Sequence, residues 1–241
     1  MRNSNGAPLI APLPGARLLA VTLILVLLAV WLAPAAATPG GHSVANGLSE
    51  TARDERSASQ DEGWAGGFGL PGVNNWVFAL AVGPDGLLYA GGRFTTAGGI
   101  PASQVARWDG ATSSWHPLGS GMNSTTYALA SGPDGSLYAG GYFTTAGGIA
   151  ASRIARWDGI TWHPLGSGMN YEVLALAIGP DGSLYAGGSF TTADGAPANH
   201  IARWDGATSS WHALDSGTNG SVYALALGPD GSLYALSLIH I

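Results

Sequence analysis

The chain has 241 residues and a formal net charge of −6, and only 10% of its residues are charged, against roughly 25% in an ordinary soluble domain. All nine cationic residues are arginine, and cysteine is absent. This composition excludes a basic nucleic-acid-binding surface, a disulfide framework, a thiolate nucleophile and a cysteine zinc site.

The N-terminal segment has the three-part layout of a secretory signal. Arg2 and Arg17 supply positive charge, residues 18–33 are apolar, and Ala35-Ala36-Ala37 forms a small-residue cleavage site. The apolar run is shorter than the roughly 20 residues of a membrane-spanning helix. We therefore predict that residues 1–37 are a signal peptide, with an uncleaved anchor as the alternative, and that the protein is secreted or displayed at the cell surface. No other membrane contact is expected.

Residues 38–63 are polar, and their apolar residues show no period. They are predicted to be a flexible linker. Signal cleavage would leave seven arginines against 15 acidic residues, which disfavours anionic partners.

The remaining sequence, residues 64–235, is a repeat with a period of 47–49 residues. Gly-Pro-Asp-Gly recurs at positions 83, 132, 179 and 228, and Trp-Asp-Gly recurs at positions 108, 157 and 204. The unit between 132 and 179 is shorter because two residues, Ile160-Thr161, replace a four-residue turn. Repeats of this length are typical of propellers and solenoids.

Each unit begins with two strands joined by a tight turn. In Val77–Val82 large and small residues alternate without a charge, so both faces of this strand are predicted to be buried. Gly-Pro-Asp-Gly then forms the turn, since proline presets φ, aspartate caps the backbone and glycine accepts positive φ. The second predicted strand is Leu88–Gly92, and a Phe-Thr-Thr-Ala-Gly-Gly loop follows it.

The unit ends with a third strand, Val105–Trp108, and a fourth, Trp115–Leu118. Pro117 lacks a backbone N–H and belongs on an edge, so the fourth strand is predicted to be outermost. Arg107 and Asp109 share the face opposite Trp108, where a repeated ion pair or a turn cap is expected.

Four strands per period and no helix predict an all-β fold, a partial β-propeller of four-stranded antiparallel blades. The blades are predicted at 76–122, 125–169 and 171–218, with part of a fourth at 222–235. A linear solenoid of β-hairpins is the alternative. The final hexapeptide, 236–241, fits no strand of the repeat and looks non-native, so we expect the chain to be a fragment.

A glycine doublet ends the second strand, and seven residues separate Trp108 from Trp115 and Trp204 from Trp211. This pattern resembles the kelch repeat, although Trp157 and Trp162 are only five apart. The Phe-Thr-Thr-Ala-Gly-Gly and Leu-Gly-Ser-Gly segments are similar to secreted kelch-like propellers of bacteria and to cell-polarity cortical markers of fungi. The resemblance implies a binding scaffold, with enzymes as a minority.

The copies differ mainly in loops that leave one end of the predicted blades, and binding residues concentrate on such loops. We therefore predict a face that binds a protein or a glycan, without a cofactor or a metal. Drift in exposed loops would produce the same variation. The predicted ligand-contacting residues are Arg93, Asn123, Tyr142, Tyr171, Glu172, Ser189, Asn199 and His200.

Other polar residues recur in every unit, which favours structural roles. His116, His163 and His212 lie on the outermost strand, too far apart to share a metal. The predicted structural residues are the turn aspartates Asp85, Asp134, Asp181 and Asp230, the tryptophans Trp108, Trp157 and Trp204, and the following aspartates Asp109, Asp158 and Asp205.

Two other functions stay open. A secreted propeller enzyme, a lyase or a glycosidase, would need non-repeated groups, for which the candidates are Glu172, Asp194 and His200. A structural spacer of near-identical blades would need none. No nucleophile elbow, phosphate loop or HExxH motif occurs in the sequence.

Overall fold

The computed structural model describes residues 72–237, and these contain β-strands and no α-helix. The predicted signal peptide (1–37), the linker (38–63), the start of the predicted repeat region (64–71) and residues 238–241 of the predicted tail lie outside this range.

Each of the first three repeats forms four main strands and a small hairpin. The first blade comprises β1 (Val77–Val82), β2 (Leu88–Gly92), β3 (Thr96–Ala97), β4 (Ile100–Pro101), β5 (Val105–Asp109) and β6 (Ser114–Pro117). The second comprises β7 (Thr126–Ser131), β8 (Leu137–Gly141), β9 (Thr145–Ala146), β10 (Ile149–Ala150), β11 (Ile154–Trp157) and β12 (Trp162–Pro164). The third comprises β13 (Val173–Ile178), β14 (Leu184–Gly188), β15 (Thr192–Ala193), β16 (Ala196–Pro197), β17 (Ile201–Asp205) and β18 (Ser210–Ala213). Part of a fourth blade follows as β19 (Val222–Leu227) and β20 (Leu233–Ser237).

The main strands of each blade form one antiparallel sheet in chain order, for example β1-β2-β5-β6. This confirms the predicted partial propeller of four-stranded blades. Pro117 lies on the edge strand β6, as expected. The Phe-Thr-Thr-Ala-Gly-Gly segment is not a simple loop, because its Thr-Ala pair begins the hairpin β3–β4.

The last strand runs past the predicted blade boundary at residue 235. Leu236 pairs with Ala224, and Ser237 pairs with Val222. Strand pairing uses backbone groups, so it continues although leucine and serine replace the glycine doublet of the other copies. The expectation that residues 236–241 fit no strand of the repeat is therefore wrong for Leu236 and Ser237.

Consecutive blades contact each other at the first glycine of the doublet. A Cβ placed on Gly91 would lie 2.8 Å from Cγ2 of Thr126 and 3.1 Å from Cγ of Leu129, both in the next blade. A Cβ on Gly140 would lie 2.5 Å from Cγ1 of Val173 in the third blade. The missing side chain is what lets the next blade seat its innermost strand.

The prediction that both faces of the first strand are buried is wrong for the two end strands. Leu129 in β7 is buried, whereas its counterpart Leu80 in β1 is 54% exposed. In β19, Val222 is buried against the third blade but Tyr223 is 49% exposed. Each end strand has a described blade on one side only, so its other face is uncovered within residues 72–237.

Tryptophans join the outer part of the blades. The indole Nε1 of Trp162 donates to the Leu118 carbonyl of the preceding blade at 2.9 Å, and Trp211 donates to Leu165 at 3.1 Å. Each of these tryptophans also packs against one on the neighbouring strand, as Trp204 does on Trp211 with ring centroids 5.3 Å apart. The packing holds each indole within its own blade, and its hydrogen bond ties that blade to the preceding one.

We predict that Gly188→Ala destabilises the fold by about 1–3 kcal/mol or more, as expected for overpacking. A Cβ at Gly188 would overlap the backbone carbonyl of Glu172, which cannot move without disturbing β13. Gly206→Ala is the matched control, because a Cβ there meets nothing within 4 Å. Thermal unfolding followed by circular dichroism measures both variants. Equal melting temperatures would show that the glycine doublet is not sterically required.

Candidate functional site

One end of the blades carries the loops that differ between copies. Because neighbouring strands are antiparallel, the start of each first strand, the end of the second and the start of the third meet at this end. We call it the variable face. All the predicted ligand-contacting residues come from segments at this end: Arg93, Asn123, Tyr142, Tyr171, Glu172, Ser189, Asn199 and His200.

Two tyrosines meet on the variable face at the junction of the second and third blades. Tyr142 directly follows β8, and Tyr171 precedes β13. Their ring centroids are 6.2 Å apart with an interplanar angle of 71°, and the side chains are 43% and 48% exposed. The guanidinium carbon of Arg153 lies 4.9 Å from the Tyr142 ring centroid. Two exposed tyrosines and the half-buried Arg153 thus form one cluster, which we call the tyrosine–arginine cluster.

Arg153 occupies a strained backbone position that recurs in every complete blade. Its φ is 67°, and the equivalent residues Gln104 and His200 have φ of 63° and 65°. Non-glycine residues rarely adopt such values. In each case the backbone N–H donates to the carbonyl of the phenylalanine that begins the Phe-Thr-Thr-Ala segment of the same blade, as Arg153 does to Phe143 at 2.9 Å.

Gln104 and Arg153 also belong to the variable face, although neither was among the predicted ligand-contacting residues. The available signal was their position, since each directly precedes the constant third strand and its identity differs between copies. His200, at the third such position, was predicted. Buried atoms without a hydrogen-bond partner include Nε of Arg153 and Nδ1 of His200, and such atoms cost free energy.

The remaining predicted residues of the face differ in their contacts. Ser189 accepts a hydrogen bond from Ser221 at 3.1 Å, across the junction of the third and fourth blades. Arg93 is exposed, and its backbone N–H donates to the Trp76 carbonyl at 2.8 Å. Glu172 is half-buried, and its carbonyl accepts from the Ser189 backbone N–H.

Asn123 and Asn199 use their amides to hold loops. The Oδ1 of Asn123 accepts from the backbone N–H groups of Thr144 and Thr145, and its Nδ2 donates to the Thr144 hydroxyl at 2.8 Å. Asn74 and Asn170 make the same contacts in their own blades. Asn199 donates to the Ser216 carbonyl at 2.9 Å. These amides are therefore committed to the fold, although both side chains reach solvent.

Asp194, a candidate for the enzyme alternative, ties a hairpin to neighbouring segments. It stands where the other copies have glycine, with φ of 50°. Its Oδ1 accepts from the backbone N–H of Ser167 at 2.7 Å, and its Oδ2 accepts from that of Trp211 at 2.9 Å. Both carboxylate oxygens are thus engaged in backbone contacts.

The Gly-Pro-Asp-Gly turns lie at the end opposite the variable face. Each turn aspartate accepts from the backbone N–H two residues on, as Asp134 does from Ser136 at 3.0 Å; the others are Asp85, Asp181 and Asp230. Partial burial alone would raise the pKa of Asp134. The backbone and hydroxyl of Ser136 and the charge of Arg156 outweigh burial, so its pKa lies below the ordinary value.

An ion pair with Arg107 or a turn cap was expected of Asp109, and the structure shows the turn cap. Asp109 accepts from the backbone N–H of Ala111 at 2.9 Å, and Asp158 and Asp205 cap their turns in the same way. Within residues 72–237 the contact between a basic side chain and a carboxylate is that of His163 Nε2 with Asp158 Oδ2, at 2.7 Å.

The strand-three arginines turn instead to the serine beside each turn aspartate. Arg156 donates to the Ser136 hydroxyl at 2.9 Å, and Arg203 donates to Ser183 at 3.3 Å. In the first blade Leu87 occupies the serine position, and Nε of Arg107 is buried without a partner.

An open cleft lies at the turn end, away from the variable face. It has a volume of about 430 Å³ and is lined by the same segment of three blades, with Gly-Pro at 83–84, 132–133 and 179–180. No ligand is predicted there from the sequence. Among the described residues no group of three or more histidine or acidic side chains is placed to hold a metal, and no helix is long and apolar enough to span a membrane.

Comparison with known proteins agrees with this architecture. The DUF5122 β-propeller domain, a domain of unknown function, matches residues 132–157 and 179–204. Both segments run from a Gly-Pro-Asp-Gly turn to the tryptophan of the third strand. The fold is that of a β-propeller.

Two solved structures resemble the chain at low sequence identity. The WD40 β-propeller domain of Doa1 aligns with a TM-score of 0.50 at 15% identity, over 68% of this chain and 48% of that one. The extracellular domain of BT4673 from B. thetaiotaomicron, described as a one-component system, aligns with a TM-score of 0.46 at 14% identity, over 66% and 19%. The chain therefore spans about half and about a fifth of these two. No curated protein matches it.

We predict that Asp194→Asn destabilises the fold by about 1.5–3 kcal/mol, the usual value of hydrogen bonds to a charged group. An amide keeps the shape and tolerates positive φ, but it offers only one acceptor oxygen for the two N–H groups. Asp215→Asn is the control, since Asp215 is exposed and has a similar φ of 52°. Chemical denaturation measures both. Unchanged stability in Asp194→Asn would return this carboxylate to the catalytic candidates.

A second prediction concerns acid pH. Backbone N–H groups hold the pKa of Asp109 and Asp205 below the ordinary value of 3.8, and the Thr161 backbone together with His163 lowers that of Asp158 further. A lowered pKa stabilises the fold at neutral pH, and that stabilisation is lost as pH falls below 3.8. We expect carboxyl ¹³C NMR to give Asp158 the lowest midpoint of the three, and His163→Gln to raise it toward the others. Identical midpoints in the unmodified protein would contradict the histidine contact.

Proposed function

We propose that the protein is a secreted or cell-surface binding module of the kelch-like bacterial type, and that a protein or glycan ligand contacts the variable face without catalysis. The observation that carries this proposal is the distribution of differences between copies. The Gly-Pro-Asp-Gly turns, the glycine doublet of the complete blades and the inner strands recur almost unchanged, whereas the side chains of the variable face differ from blade to blade. The turn between the third and fourth strands, at the opposite end, changes length in the second blade only.

The backbone at the variable face supports this proposal. Gln104, Arg153 and His200 share one strained conformation while their side chains differ completely. Strain of this kind persists only where surrounding structure imposes it, and it is frequent at functional sites. A fixed backbone that presents a different polar side chain from each blade suits recognition of an asymmetric ligand.

A structural spacer is the second candidate, because stretches such as Ala-Arg-Trp-Asp-Gly are identical in all three complete blades. A propeller enzyme, a lyase or a glycosidase, has less support. Of its three candidate groups, Asp194 is engaged in backbone contacts, which leaves Glu172 and His200.

The decisive experiment is a binding screen of the full chain against a printed oligosaccharide array and a phage-displayed random dodecapeptide library. We expect at least one of the two to yield ligands whose binding falls at least tenfold in Tyr171→Ala. Tyr223→Ala is the matched control, since Tyr223 is similarly exposed but lies on the uncovered face of β19. We expect it to bind as the unmodified chain does.

Two outcomes would overturn the proposal. Binding that is lost in Tyr223→Ala and kept in Tyr171→Ala would place the ligand on the wrong surface. Failure of both libraries to yield any ligand would leave the spacer as the better reading.

A further inference from the structure

We propose that the tyrosine–arginine cluster (Tyr142, Arg153 and Tyr171) is the contact point for a protein segment that presents a carboxylate beside an apolar side chain. This inference rests on the proposed binding function and narrows it to one junction between blades and one class of ligand.

The tyrosine–arginine cluster exposes apolar surface that no other part of the described fold covers. The two rings touch each other, yet each side chain keeps more than two-fifths of its surface in solvent. The corresponding residues at the next junction are small, Ser189 and Gly220. The second and third blades thus present an aromatic site that their own packing does not require, and burying it against a partner would be favourable.

Arg153 is held in place by three features. Its backbone is constrained at φ of 67°, its Nη1 donates to the Phe143 carbonyl at 3.2 Å, and its guanidinium lies against the Tyr142 ring. Little conformational freedom remains for a ligand to remove. A pre-positioned side chain of this kind loses less entropy on binding than a free arginine.

The charge of Arg153 has no acidic partner in the part of the chain described. The contact between a basic and an acidic side chain found among residues 72–237 joins His163 on β12 to Asp158, which directly follows β11. The equivalent positions of the other two blades hold Gln104 and His200 in place of arginine. A fixed guanidinium without a counter-charge is suited to a carboxylate, which its Nη groups can bind while its Nε stays buried.

Two arguments favour a protein segment over a glycan. Neutral sugars offer no charge to Arg153, and a polyanionic polysaccharide would be repelled by a chain of net charge −6. A single carboxylate next to an apolar group avoids both problems. Tyrosine and arginine are also the residues that most often dominate protein–protein binding energy.

Glu172 supplies a sharper test because it directly follows Tyr171 and carries a charge opposite to that of Arg153. If the ligand brings a carboxylate to the tyrosine–arginine cluster, the negative charge of Glu172 weakens its binding by repulsion. Glu172→Gln should then tighten binding, whereas a glutamate that merely supports the loop would weaken binding or leave it unchanged when replaced.

The experiment takes peptides enriched from the random dodecapeptide library on the full chain, synthesises them with a fluorophore and measures Kd by fluorescence anisotropy. We expect enriched peptides to share an Asp or Glu next to Leu, Phe, Tyr or Trp. Arg153→Ala should weaken their binding at least tenfold, Arg153→Lys should weaken it less, and Glu172→Gln should tighten it severalfold. Tyr223→Ala is the control, and it should leave Kd unchanged.

Some outcomes overturn this inference and leave the proposed function intact. One is enrichment of peptides without an acid that depend on Tyr171 but not on Arg153. Another is binding of neutral oligosaccharides on the array, lost in Tyr142→Ala and kept in Arg153→Ala, which would identify a glycan site. Ligands that no substitution on the variable face affects would overturn both proposals.

Discussion

The close approach of consecutive blades at a glycine is the constraint on which the rest of the structure depends. The second strand ends in two glycines because the next blade places a β-branched residue and a leucine against the first, and the strand's own neighbour places a carbonyl against the second. With this spacing fixed, the tryptophan of the outer strand reaches a carbonyl of the preceding blade. Inner contact and outer hydrogen bond together set the angle between blades, and so the distance between side chains on the variable face.

The fourth blade breaks this pattern at its second strand. Leu236 occupies the position of Gly91, Gly140 and Gly187, and it is 63% exposed. In the other blades this position has no room for a Cβ once the next blade is seated. The uncovered face of β20 therefore carries a leucine side chain where the interfaces between described blades have a glycine. A blade with the usual leucine and valine could pack on this face only if Leu236 were displaced.

Much of the architecture could be predicted from sequence because each main strand carries a strong local signal. The alternation in Val77–Val82 and the turn after it predict the bounds of the first two strands of the first blade as the structure has them. The hairpin β3–β4 escaped prediction, because strands of two residues are too short to show a period. The end strands were predicted to be buried on both faces, since their sequence matches that of the inner strands and only the neighbouring blades differ.

The variable face could be predicted as a region but not as a site. Tyr142 and Tyr171 each stood out by differing between copies, yet their contact depends on the angle between two blades, which no local pattern contains. Arg153 was missed because positive φ is usually signalled by glycine or asparagine, and here the same conformation holds glutamine, arginine and histidine. Its backbone is imposed by hydrogen bonds from the neighbouring strand and loop, not by its own side chain.

Stability and variation are thereby separated in space. The aspartate-capped turns lie at one end, the glycine and tryptophan contacts run through the interior, and most of the differing side chains lie at the other end. Strained backbone and buried unpaired atoms, such as Nε of Arg153 and Nδ1 of His200, cost free energy at the variable end. The repeated contacts elsewhere offset that cost, and because they do not involve the variable side chains, each blade can carry a different group without altering the frame that presents it.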